Sequence, residues 1–122
     1  MATLNVTLGI TSTDATSENL NIGASDTLTV TNPMESTSRA SIPVGPSVLN
    51  ILTAAANTSI TYVYVSNIDE TNVITLKDDA GNSIIDLSPK EFAFFPVKGG
   101  IGLEASANVA PCVLEYGFWT KS

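Results

Sequence analysis

Apolar side chains recur every second residue along most of this chain, and the 3.6-residue spacing of an amphipathic helix is almost nowhere found. Leu4, Val6, Leu8 and Ile10 alternate with Asn5, Thr7 and Gly9. Leu28 and Val30 alternate with Thr27, Thr29 and Thr31, and Leu103 and Ala105 with Glu104 and Ser106. Near the end, Leu114, Tyr116 and Phe118 alternate with Glu115 and Gly117, with Cys112 on the same parity. Each run predicts a strand with one face on a core. Residues 60–65 (ITYVYV) are apolar at nearly every position, which predicts a central strand covered on both faces. Val48–Asn57 is the one helical candidate, and a strand followed by a turn fits it better.

Turn residues punctuate these runs. Asp78-Asp79-Ala80-Gly81-Asn82 predicts a hairpin loop with Gly81 in the left-handed region. Ser88-Pro89-Lys90-Glu91 and Lys98-Gly99-Gly100 predict tight turns, and residues 107–111 a longer connection. From residue 59 to 120, strands therefore recur at the short spacing of a sandwich or barrel. Residues 1–58 are less regular, with polar loop-like stretches at 11–19 and 32–41. The pattern predicts one all-β domain over residues 1–122, an antiparallel two-sheet β-sandwich. Its expected core is Val6, Leu8, Leu28, Val30, Tyr62, Val63, Val65, Ile74, Leu76, Leu87, Phe92, Phe94, Leu103, Leu114 and Tyr116.

Composition narrows the function more than the fold. Twelve acidic and five basic residues give a formal net charge of −7, and the basic ones (Arg39, Lys77, Lys90, Lys98, Lys121) are scattered singly. Nucleic acid and anionic membrane surfaces are therefore not expected as partners, since phosphate neutralisation needs clustered Lys and Arg. The N-terminus has no basic segment followed by an apolar run, so no signal peptide is expected. The lone Cys112 cannot form an intrachain disulfide and is read as a small buried hydrophobe. Sequons at Asn5 and Asn57 are read as chance in a chain rich in Asn, Thr and Ser.

Chemistry is scarce. The chain has no His, so Ser-His-Asp, Cys-His and ordinary zinc sites cannot be built. Gly99-Gly100-Ile101-Gly102 lacks the Lys-Ser/Thr ending of a phosphate loop. No catalytic residue, cofactor or metal site is expected, and the protein is read as a non-enzyme. Asp69-Glu70 and Asp78-Asp79, at opposite ends of one strand, are read as solvated loops in preference to a calcium site. The aromatics Phe92, Phe94, Phe95, Tyr116 and Phe118 are read as core in preference to a sugar-stacking surface. Trp119, on the opposite parity from Tyr116 and Phe118, is the exception and a candidate for contact between subunits.

Three stretches carry a resemblance: residues 62–76 (YVYVSNIDETNVITL), 87–97 (LSPKEFAFFPV), and 102–108 with 114–119 (GLEASAN, LEYGFW). Together they resemble small structural proteins of tailed-bacteriophage virions, most similar to those of marine and cyanobacterial phages. The segment 22–34 has the same character. The likeness covers about 60 residues well. It implies a jelly-roll-like sandwich that packs as a capsid decoration, or cement, protein on the major capsid protein, in a virion assembled in the host cytoplasm. A neck, tail, baseplate or fibre-associated component is the alternative, and a receptor- or carbohydrate-binding module a more distant one. That family often has Gly after the turn Pro. Lys90 stands there in this chain, which favours a type I turn, because a type II turn would force it to positive φ. A homotrimer is expected, with subunit contacts through Leu4, Val6, Pro33, Met34, Arg39 and Trp119. These residues lie in segments with little periodic support, and a partner is expected to order the 11–19 and 32–41 stretches.

Overall fold

The computed structural model describes residues 2–30, 38–54, 57 and 61–121. Ten strands run in order: β1 (Ala2–Ser12), β2 (Leu20–Val30), β3 (Ser38–Ile42), β4 (Leu49–Leu52), β5 (Thr61–Asn67), β6 (Ile74–Asp78), β7 (Ser83–Leu87), β8 (Phe92–Val97), β9 (Leu103–Ala107) and β10 (Cys112–Thr120). No helix occurs among the described residues; in the candidate Val48–Asn57 the chain makes β4 and then turns at Ala54, and residues 55 and 56 lie outside the described residues.

Strands β3 to β10 form two four-stranded antiparallel sheets, ordered β3-β10-β5-β8 and β4-β9-β6-β7. The pairs β3·β10, β4·β9, β5·β8 and β6·β7 nest inside one another. One long antiparallel hairpin, rolled up so that successive pairs fall in alternate sheets, gives this order, which is the winding of a jelly roll. The β-sandwich predicted from sequence is thus present, as an eight-stranded roll.

The core lies between the two sheets. Ile42, Val63, Val65, Cys112 and Leu114 face inward from one, and Leu52, Ile74, Leu76, Leu103, Ala105 and Ala107 from the other. Each fully buried Val, Leu or Ile stabilises the fold by about 1.5–3 kcal/mol over its exposed form. Tyr116 and Phe118 pack at the margin. The central strand expected at residues 60–65 is β5, flanked by β10 and β8. Its Val63 and Val65 are fully buried, while Tyr62 and Tyr64 are half-buried on the opposite face.

The expected core needs correction at several positions. Phe92 and Phe94 do share a strand face, but it is the outer one: they register with Ser66 and Tyr64, whereas Val63 and Val65 register with Phe95 and Ala93. Phe92 is 65% exposed, and Phe94 is half-buried with its ring stacked on Tyr62 at 6.0 Å between centroids. Tyr62 therefore leaves the core as well. Leu8 is 44% exposed, and Val6 and Leu28 are half-buried, because they lie outside the sandwich. The loop expected at 32–41 ends at Ser38, where β3 begins; its residues 32–37 lie outside the described residues.

The turns follow their residues. Gly81 takes φ +89°, as its loop requires, and Gly81 N–H donates to the Asp78 carbonyl at 3.1 Å. Lys90 has φ +70° and the Glu91 N–H donates to the Ser88 carbonyl at 3.0 Å. That is type II geometry, so the expectation of type I is overturned. Gly102 is required by a close approach: a Cβ there would stand 3.0 Å from the Leu52 carbonyl oxygen and the Ala54 nitrogen.

Candidate interaction surface

Strands β1 and β2 belong to neither sheet of the roll. Among the described residues they form a two-stranded sheet with each other, in register from Ala2↔Val30 to Ser12↔Leu20, as an arm. At its base Val30 is buried and bridges to Lys121, just after β10. The pairing puts Leu4, Val6, Leu8, Ile10, Leu20, Ile22, Ala24, Asp26 and Leu28 on one face. Thr3, Asn5, Thr7, Thr11, Asn21, Ser25, Thr27 and Thr29 take the other. The arm is therefore amphipathic, with Asp26 the one charge on its apolar face; the Thr27 N–H donates to that carboxylate at 2.8 Å.

The near half of that face lies over the outer surface of the β3-β10-β5-β8 sheet. Leu4 and Val6 share a cavity of about 300 Å³ with Tyr64, Phe92, Phe94 and Trp119. Farther out the arm and sheet diverge, leaving a cleft of about 430 Å³ with Val6, Leu8 and Ala24 on one wall and Phe92, Ala93 and Phe94 on the other. Beyond it the arm has no cover: Leu8, Ile10 and Ile22 are 44%, 43% and 46% exposed.

The structure thus brings three of the six expected contact residues together. Leu4, Val6 and Trp119 meet at the arm–sheet junction, with Trp119 in register with Tyr62 on the outer face, as its parity indicated. Arg39 sits apart on edge strand β3. Its Nε and Nη2 each lie 3.1 Å from Glu115 Oε2, and Glu115 Oε1 accepts from the Tyr64 hydroxyl at 3.2 Å. Pro33 and Met34 lie outside the described residues. Sequence reasoning missed Phe92, Phe94 and Tyr62 as surface residues. The available signal was their register, since the parity that buries Val63 and Val65 must turn Tyr62 and Tyr64 outward.

The acidic pairs serve turns. Asp69 Oδ2 accepts the Thr71 and Asn72 N–H groups at 3.0 and 2.8 Å, which hold its carboxyl below the ordinary value. Asp78 is lowered too, first by the Asn82 side-chain amide at 3.0 Å and then by the Asn82 N–H at 2.8 Å. Glu70 pairs with Lys90 at 2.8 Å. Among the described residues no three His, Cys, Asp or Glu side chains converge. Cys112 is buried, as its parity predicted, and desolvation raises its thiol pKa. Asn57 is fully buried and donates to the Lys98 and Ile101 carbonyls at 2.8 and 3.0 Å, so its sequon cannot carry a glycan in this fold.

No family model, curated protein or solved structure matches the chain.

Proposed function

We propose that this chain is a non-enzymatic structural protein of a tailed-phage virion, a decoration (cement) protein that packs as a homo-oligomer on the major capsid protein shell. One observation carries the proposal: an amphipathic two-stranded arm projects from the jelly roll with the distal half of its apolar face in water. Exposed contiguous apolar surface on a small soluble domain marks a contact with other protein. The sequence likeness to phage virion proteins supplies the kind of assembly. The outer sheet beside the arm is aromatic and uncharged over Phe92–Val97, a surface suited to packing. Fold alone names no function, so the weight rests on the arm and the motifs.

Copy number in purified particles tests this. A decoration role requires hundreds of copies, in proportion to the major capsid protein, and loss of the chain should leave capsids less resistant to heat. A count of no more than a few dozen would reject decoration and move the chain to the neck, tail or baseplate.

A further inference from the structure

We propose that the distal apolar face of the arm is an interface between copies of this chain, with Leu8, Ile10 and Ile22 of one copy seated against Phe92 and the open cleft of the next. The inference deepens the homo-oligomer within the reading above and does not depend on the capsid.

A two-stranded ribbon is at best marginally stable alone, and needs a further strand or a packed face. The near half of this arm has that support from its own sheet. The distal half has none, yet eleven paired positions keep it in register out to Ser12 and Leu20. Leu8, Ile10, Ile22 and the 65%-exposed Phe92 together leave on the order of 350 Å² of apolar side chain in water, nearly half of what each partner gives a standard interface. Leu8 and Phe92 line the same cleft, so this is one patch. Among the described residues, the other exposed large apolar side chains are Val48, Ile84, Val109 and Val113, and none of them lines the cleft.

Charge permits a second copy as the occupant. The chain is formally −7, so two copies repel wherever their carboxylates face one another. Residues 2–13, 19–25 and 92–97 carry no charge at all. Those segments supply the projecting ribbon and most of the recess, whose one charged lining residue is Asp26. An uncharged ribbon thus meets a single carboxylate, and two copies can satisfy each other there. Because ribbon and recess are different surfaces, the contact is head-to-tail, which gives a ring where the rotation between copies closes and a filament where it does not.

The test is association of the full chain in solution. Sedimentation velocity up to about 100 µM should show a concentration-dependent oligomer. The double variant Ile10→Thr, Ile22→Thr keeps β-branched residues in the strands and should weaken association at least about tenfold, with the unfolding midpoint of the roll retained. Phe92→Ser, which changes no residue of the arm, should weaken it as well. An equimolar mixture of Ile10→Cys and Phe92→Cys chains should give a disulfide-linked heterodimer on mild oxidation. A wild-type chain that stays monomeric, or an oligomer indifferent to both sets of substitutions, overturns the inference. Neither result bears on particle copy number, so failure here is separable from failure of the capsid reading.

Discussion

Lys90 donates its backbone N–H to the Asn67 carbonyl at 2.9 Å while holding φ at +70°. The bond ties the β7–β8 turn to the end of β5, and the Glu91 carbonyl accepts the Asn67 N–H at 2.9 Å in return. Left-handed backbone costs a non-Gly L-residue roughly 1–2 kcal/mol. The Lys90–Glu70 ion pair cannot offset that, because both side chains are largely exposed. Lys90→Gly should therefore stabilise the protein by about 1 kcal/mol, and Lys90→Ala should leave it nearly unchanged. Urea unfolding midpoints of the three chains check this; a destabilised glycine variant would contradict it.

The Asn67 side chain is a stronger support than the turn it anchors. It is fully buried, donates to the Asn72 and Leu87 carbonyls at 2.8 and 2.9 Å, and accepts the Asp69 N–H at 3.0 Å. Removing it takes a hydrogen-bond partner from three backbone groups in a buried to half-buried site, where a lost partner costs up to about 1–3 kcal/mol. Asn67→Ala should lose about 3 kcal/mol. Asn67→Asp should be at least as damaging, because carboxylate oxygens would face the two carbonyls that the amide now satisfies. Thermal unfolding of both variants would show it.

Truncations should separate the two faces of the sandwich. Leu76 is fully buried, so Leu76→Ala should cost about 2–5 kcal/mol. Phe94 is only half-buried under the arm, so Phe94→Ala should cost about 1–2 kcal/mol, and Phe92→Ala less than 1 kcal/mol in the monomer. Equal losses at Leu76 and Phe92 would place that ring in the core after all.

Much of this fold was legible because parity is legible. Val30, Leu103 and Leu114 are legible as core from alternation, Val63 and Val65 from a run that is apolar at nearly every position, and Gly81 and Pro89 mark their turns. Parity says which residues share a face and not which face is inward. On β8 both faces are apolar, Ala93 and Phe95 on one and Phe92 and Phe94 on the other, so size misled where register would have decided. The arm shows the same gap. Leu4–Ile10 was recognisable as a strand, yet nothing in its alternation says that half of its apolar face stands beyond its own sandwich. Lys90 departs from expectation for a different reason: its hydrogen bond to Asn67 comes from a strand twenty-three residues earlier and overrides a local preference.

Acid should loosen two turns before it reaches the core. Asp69 and Asp78 both have folded pKa values below the ordinary carboxylate value, Asp69 chiefly through the Thr71 and Asn72 N–H groups and Asp78 chiefly through Asn82. A depressed folded pKa means that the folded state binds its proton later than the unfolded state does. The resulting stability is fully present above the unfolded value near ~4 and is lost as pH falls through the folded one. The urea midpoint should thus be flat from about pH 7 to pH 5 and decline below about pH 4. The chain carries twelve acidic residues, so the part played by these two turns must be isolated by substitution. Asp69→Asn and Asp78→Asn remove the ionised acceptor at every pH. Each should lower the midpoint at pH 6 and flatten the decline below pH 4, and the double variant should be flatter than either, because the turns sit at opposite ends of β6 and share no partner. Variants that match the wild type at neutral pH and fall as steeply in acid would show that these carboxylates are solvated bystanders in their turns.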